Sequence, residues 1–193
     1  MTIRKFVAAS ALSLVIGLPA SAADYLIDTD GAHAFVQFRV KHLGFSWLHG
    51  RFNAFEGTFT LDEEDPSKNA VSVTVDVTSL DSNHEKRDVH LKSADFLNVE
   101  TFPEATFVST RFVAGENGKG TLVGDLTLHG VTQSITITVE KVGEGKDPWG
   151  GYRAGFEGAT SFAMADFGID AVNKLGPASG TVEMMLSVEG IRQ

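Results

Sequence analysis

Apolar and polar residues alternate along most of this chain. That period of two is the pattern of a β-strand with one face buried. Between residues 33 and 41, Ala34, Val36, Phe38 and Val40 fall on one side, with Gln37, Arg39 and Lys41 on the other. Val71, Val73, Val75 and Val77 alternate with Ser72, Thr74 and Asp76. Leu122, Leu126 and Leu128 share a face with Gly124, opposite Thr121, Asp125 and Thr127. Ile135, Ile137 and Val139 alternate with Ser134, Thr136 and Thr138, and Val182, Met184, Leu186 and Val188 with Glu183, Ser187 and Glu189. Each run has one apolar and one polar face, as antiparallel strands require. The Val, Ile, Thr and Phe that dominate them suit a pleated, half-buried surface.

The breaks between runs agree. Asn117-Gly118 and His129-Gly130 each join two strand-like runs as hairpin turns do. Asp62 to Pro66, the stretch Asp147-Pro148-Trp149-Gly150-Gly151 and Gly176-Pro177 are further loops. One segment departs from the period. Ser82-Asn83-His84-Glu85 matches a capping box, and the spacing predicts a single short helix over about residues 84–98 with a weak apolar face. Such a helix is expected as a lid or plug. Roughly eight strands with turns between neighbours imply an all-β sandwich or a closed antiparallel barrel. Strands of ~10 residues tilted as barrels require give a height of ~25 Å.

The first residues concern export. Arg4 and Lys5 precede an apolar run from Phe6 to Leu18, and Ala20-Ser21-Ala22 has the small residues of a signal-peptidase site. We therefore expect residues 1–22 to be a cleaved signal peptide and 23–193 to be one domain. The Ala-rich signal suits a bacterial periplasm. Without Arg4 and Lys5, 14 basic side chains face 25 acidic ones, a net charge of −11. Polyanions should be repelled, so nucleic acid is not expected as a partner. Nor is stable membrane insertion expected after cleavage. The chain has no cysteine, which removes thiol catalysis, disulfides and Cys-based metal sites.

Catalytic motifs are absent: no G-x-S-x-G elbow, H-E-x-x-H or P-loop occurs. Asp28-Thr29-Asp30-Gly31 resembles the start of a calcium loop but fails at later positions, so it reads as a turn. His33, His42, His49, His84, His90 and His129 lack ligand spacing, and no metal site is assigned. A basic group stands out in the acidic chain. Arg39, Lys41 and His42 end one strand, and Lys86, Arg87, His90 and Lys92 fall on the helix. If helix and strand end meet at a barrel mouth, Arg39, His42, Arg87 and His90 are candidates for a polar or anionic head group. A solvated helix face, with Glu85, Asp88 and Asp95 interleaved, is the plainer alternative.

Fourteen Phe stand against two Trp and two Tyr. Phe has no polar handle and belongs in apolar surroundings. Ordinary core packing explains any one of them; the set suggests a Phe- and Val-lined cavity. From the alternation, Val36, Phe38, Phe52, Val73, Val75, Phe107, Leu126, Ile137, Phe156 and Leu186 are expected to face inward.

Several motifs then match a known family in order. They are the run from His33 to Gly44 followed by Phe55-Glu56-Gly57, the run from Arg87 to Leu97, Phe102-Pro103 with Ala105-Thr106-Phe107, Gly124 to Thr132, and Asp147-Pro148-Trp149-Gly150 with Asp166-Phe167. The chain resembles the YceI-like family of periplasmic polyisoprenoid-binding proteins along nearly its whole mature length. The resemblance implies a lipocalin-like barrel with an apolar tunnel for a polyisoprenoid tail, of an isoprenoid quinone or a prenyl phosphate. It implies no catalytic residues and no cofactor beyond that lipid, with transport, storage or stress response as the role. Two other classes remain. A barrel filled by its own side chains would act through protein partners. An enzyme would use the His33, His42, Asp88 and His90 group. A homodimer through a strand edge or an exposed Phe patch is compatible with all of these.

Overall fold

The computed structural model describes residues 22–193; the expected signal segment lies outside them except for Ala22. Eleven strands form: β1 Ala23–Ile27, β2 Phe35–His42, β3 Ser46–Phe52, β4 Phe55–Leu61, β5 Ala70–Asp76, β6 Leu80–Asp81, β7 Glu104–Ala114, β8 Lys119–Leu128, β9 Val131–Lys146, β10 Tyr152–Ala163 and β11 Thr181–Arg192. All pairings are antiparallel. The order β1-β4-β5-β7-β8-β9-β10-β11 closes on itself, because β1 also pairs β11. The result is a closed eight-stranded antiparallel barrel with extra strands.

Closure depends on β11 being long enough to hold two partners on one edge. Its C-terminal end, Gly190–Arg192, pairs Ile27–Tyr25 of β1, while Val182–Ser187 pairs Val40–Phe35 of β2. Residues 28–34 carry the chain from one half of that edge to the other. The turn begins where Asp28 N–H donates to Glu189 O and Asp28 Oδ1 accepts from Gly31 N. The Asp28-Thr29-Asp30-Gly31 stretch is thus a strand-joining turn. Beyond β2, β3 and then β6 extend the sheet at that end of the barrel.

The helix is shorter than its sequence suggests. α1 spans Glu85–Lys92, and its N-cap is His84, whose Nδ1 accepts from Arg87 N. Ser82 does not act as the cap; it is buried, and both its N–H and its hydroxyl donate to Asp88 Oδ1. Ser93 ends the helix. Its backbone is extended, and its hydroxyl donates to His90 O, competing with the next helical turn. Residues 94–98 instead form turns, with Asn98 in the left-handed region. A second helix, α2 Ala171–Leu175, is capped by Asp170 Oδ1 accepting from Asn173 N. Five residues are too few to leave a periodic signal. Val77, read as the end of the β5 alternation, instead starts a 3-10 turn and is buried.

Both helices lie at one end of the barrel, with the β2–β3 turn and the β8–β9 turn. There Phe96, Phe167, Ile169 and Ala171 form a buried cap over Leu126, Leu128 and Ile135. The opposite end is packed by Tyr25, Ile27, Phe59 and Ala154. Tyr25 stacks on Phe59 at 4.7 Å, and Phe59 meets the edge of Phe156 at 5.5 Å.

Beside that second cluster sits a partly buried ion network. Arg153 Nη1 lies 2.5 Å from both Asp28 Oδ2 and Glu189 Oε1, and its Nε lies 3.0 Å from Asp147 Oδ2. It ties the 28–34 turn to the loop between β9 and β10. The hydrogen bond from Arg153 is the main cause that holds the Asp28 carboxyl down to about 2.

Candidate ligand cavity

The inward faces of the strands do not meet. They enclose a cavity of about 340 Å³, within the range of small-molecule sites. All ten residues expected from the alternation line it. Val73 of β5 faces Phe107 of β7, which faces Leu126 of β8. Across the barrel, Phe52 of β3, Val36 of β2 and Leu186 of β11 make a matching row. Val75, Ile137, Phe156 and Phe38 complete the set.

Glycines keep the space open. A Cβ at Gly50 would run into the ring of Phe38 on the neighbouring strand, and one at Gly124 into the ring of Phe107. With no side chain there, each ring lies back against the sheet. The rings line the wall without filling the centre.

The alternation also carried the apolar faces that place Leu122, Ile135 and Met184 on the lining. It carried no signal for the cap. Leu91 of α1, Leu97, Ile169 and Leu175 close the helical end over the same space. They come from two segments more than seventy residues apart, and neither alternates. Among the described residues, Phe35 and Phe45 are exposed, Phe45 to 87%, and neither lines the cavity.

The four head-group candidates separate. His42 lines the cavity at the helical end. Arg39 points to the outer face, where Nη2 lies 2.6 Å from Glu183 Oε2 and the guanidinium sits over Trp47 at 4.3 Å. His90 meets Phe96 edge-on at 5.0 Å, with Nε2 3.4 Å from Asp95. Arg87 donates from Nε to Ser82 Oγ at 2.7 Å and from Nη2 to Ser82 O. Arg87 and His42 do share one space. A polar cleft lies between β3 and the start of α1, lined by His42, Ser46, Trp47, Leu48, His49, Ser82, Asn83 and Arg87. No carboxylate lines it. His42 and Leu48 border both cleft and cavity, so the two are adjacent. Residues 46–50 of β3 pair only with β2, which leaves that stretch of strand edge facing the cleft.

One group among the described residues has metal-ligand geometry: Asp28, His33 and Glu189. The Arg153 guanidinium already supplies the positive charge those carboxylates need. No helix among the described residues is long and apolar enough to cross a membrane.

Known proteins share this architecture. A structure of BcnA from Burkholderia cenocepacia superposes with a TM-score of 0.75 at 21% identity, covering 84% of this chain and 98% of that one. The YceI protein of Campylobacter jejuni gives 0.70 at 25% identity, covering 80% and 90%. A polyisoprenoid-binding domain from Saccharophagus degradans, implicated in plant cell wall breakdown, gives 0.65 at 16% identity, covering 88% and 98%. In sequence, a UPF0312 protein of Pseudomonas aeruginosa is 54% identical over 193 residues, covering 99% of this chain and all of that one. A UPF0312 protein of Shewanella baltica is 54% identical over 181 residues, 94% of each chain. The model of the YceI-like domain matches residues 25–190, and the chain belongs to the YceI-like family.

Proposed function

We propose that this protein binds a polyisoprenoid lipid, an isoprenoid quinone or a prenyl phosphate, and carries or stores it in the periplasm. The observation that carries this reading is the cavity: a capped apolar space lined from strands all round the barrel, held open where glycines let Phe rings lie flat. The tail would occupy it. The head group would sit in the adjoining cleft by His42 and Arg87. The binding activity named for the Saccharophagus degradans domain supports the same ligand class.

The mechanism is burial, not catalysis. Each isoprene unit has five carbons, and taking them out of water contributes up to about 4 kcal/mol. Lost freedom of the ligand offsets much of this. Two or three buried units then give useful affinity, and tail length should outweigh head group.

Native mass spectrometry of the protein purified from its own periplasm, with extraction and identification of what is bound, tests this. A stoichiometric isoprenoid is expected. Leu126→Asp should abolish its retention, because a lone carboxylate in a dry cavity is costly. Asp125→Asn, on the exposed face of the same strand, should retain it. An empty protein that takes up neither quinones nor prenyl phosphates would sink the reading.

A further inference from the structure

The β2–β3 turn is the least explained apolar feature of the surface. Phe45 is 87% exposed and Leu43 52%. Leu43 also has φ +51°, a left-handed conformation that Leu adopts only at a cost. A side chain both strained and solvated adds nothing to the isolated fold. Trp47, next along the strand, is partly exposed, with Arg39 at 4.3 Å and Lys41 at 5.4 Å from its ring centroid. Val172 of α2 is partly exposed at the same end, and Gly44 at the tip approaches Ala178.

Charge selects the partner. No Asp or Glu occurs between Asp30 and Glu56, the longest such interval in a chain with 25 acidic residues. That interval holds Arg39, Lys41 and Arg51 as well as the exposed tip; in space Glu183 pairs Arg39 and Asp81 pairs Arg51, which leaves Lys41, and Arg87 across the carboxylate-free cleft, as the cations of this end. The turn is therefore an aromatic and apolar promontory flanked by the cations Lys41 and Arg87 on an otherwise acidic protein. Trp beside cations, with bare Leu and Phe at the tip, is the combination that settles at the headgroup level of a bilayer.

We propose that the β2–β3 turn docks this protein on an anionic lipid bilayer, inserting Leu43 and Phe45 while Trp47 and Lys41 lie among the headgroups. Docked this way, the cleft between β3 and α1 faces the interface, and a lipid tail passes between bilayer and cavity beside His42 and Leu48. The docking rests on the lipid-binding reading for its purpose, but not for its test.

The test uses flotation with vesicles of phosphatidylethanolamine and phosphatidylglycerol, in a Trp149→Phe background. Trp149 is the only other Trp and lies at the far end of the barrel, so emission then reports Trp47 alone. The protein should float with the vesicles, its emission should shift to the blue, and added salt should weaken both. Leu43→Asn with Phe45→Ser should lower partitioning about tenfold or more. The variant should fold normally, since Asn tolerates the left-handed region and Phe45 packs on little. Native mass spectrometry of the same variant should still find bound lipid. Failure of the parent to float, or flotation unchanged in the variant, would overturn the proposal. So would a tip-dependent dimer in sedimentation without vesicle binding. A lipid-free protein that still floats through its tip would uphold docking while refuting the ligand assignment.

Discussion

Single residues decide whether the turn that joins the two halves of the β11 edge holds. Arg153 is the positive centre for Asp28 and Asp147, whose side chains are only 6% and 7% exposed. Replacing it by Ala leaves both carboxylates without their guanidinium partner, and the variant should be less stable than the parent. A lower Tm is expected, read by calorimetry. Acid should expose the same network. Asp28 has a folded value of about 2 against an ordinary 3.8, so the unfolded chain takes up the proton first. Its contribution is complete above pH ~4 and is lost as pH falls through ~2, on the order of 1–2 kcal/mol after solvent screening. A urea titration across that window should show the loss in the parent. The Arg153→Ala variant should show much less of it.

At the scale of elements, the strands were legible and the cap was not. Alternation of Val36 with Phe38, or of Val73 with Val75, marks the inward face because neighbouring residues of a strand point opposite ways. Nothing so local marks where a helix stops. Ser93 ends α1 through its own hydroxyl, and the sequence there still reads as helical. The capping box at Ser82 does not form for a related reason. Ser82 is drawn away by Asp88 and Arg87, leaving His84 to cap. The β2–β3 pair carries its own prediction. Gly50→Ala places a methyl group against the Phe38 ring, so the ring must swing into the cavity. Overpacking should cost about 1–3 kcal/mol. Long isoprenoids should be retained less well than in the parent, measured by competition between tail lengths in native mass spectra.

At the scale of the molecule, ligand and fold are linked. A lipid that binds only the closed barrel stabilises it by about 2.7 kcal/mol at a hundred times its dissociation constant. That corresponds to a rise of about 5–10 °C in Tm for a domain of this length. Isoprenoids of increasing tail length should give increasing shifts in a thermal melt until the cavity is full. No shift with any of them would mean the barrel does not take the tail.

Which residues face inward, roughly how many strands form and the apolar character of the interior can all be read from the chain before it folds. Those properties follow from the two-residue period and from composition, both local. Tertiary structure alone decided that β1 and β2 share one edge of β11, that two distant segments cap the same end, and that Arg87 and His42 meet in a cleft while Arg39 and His90 do not. It also decided that the barrel is hollow. A Phe fills a core or lines a wall according to what stands opposite it, and the glycines that let Phe38 and Phe107 lie flat belong to other strands. Contacts between residues far apart in the chain leave no trace in local pattern, so only the folded molecule expresses them.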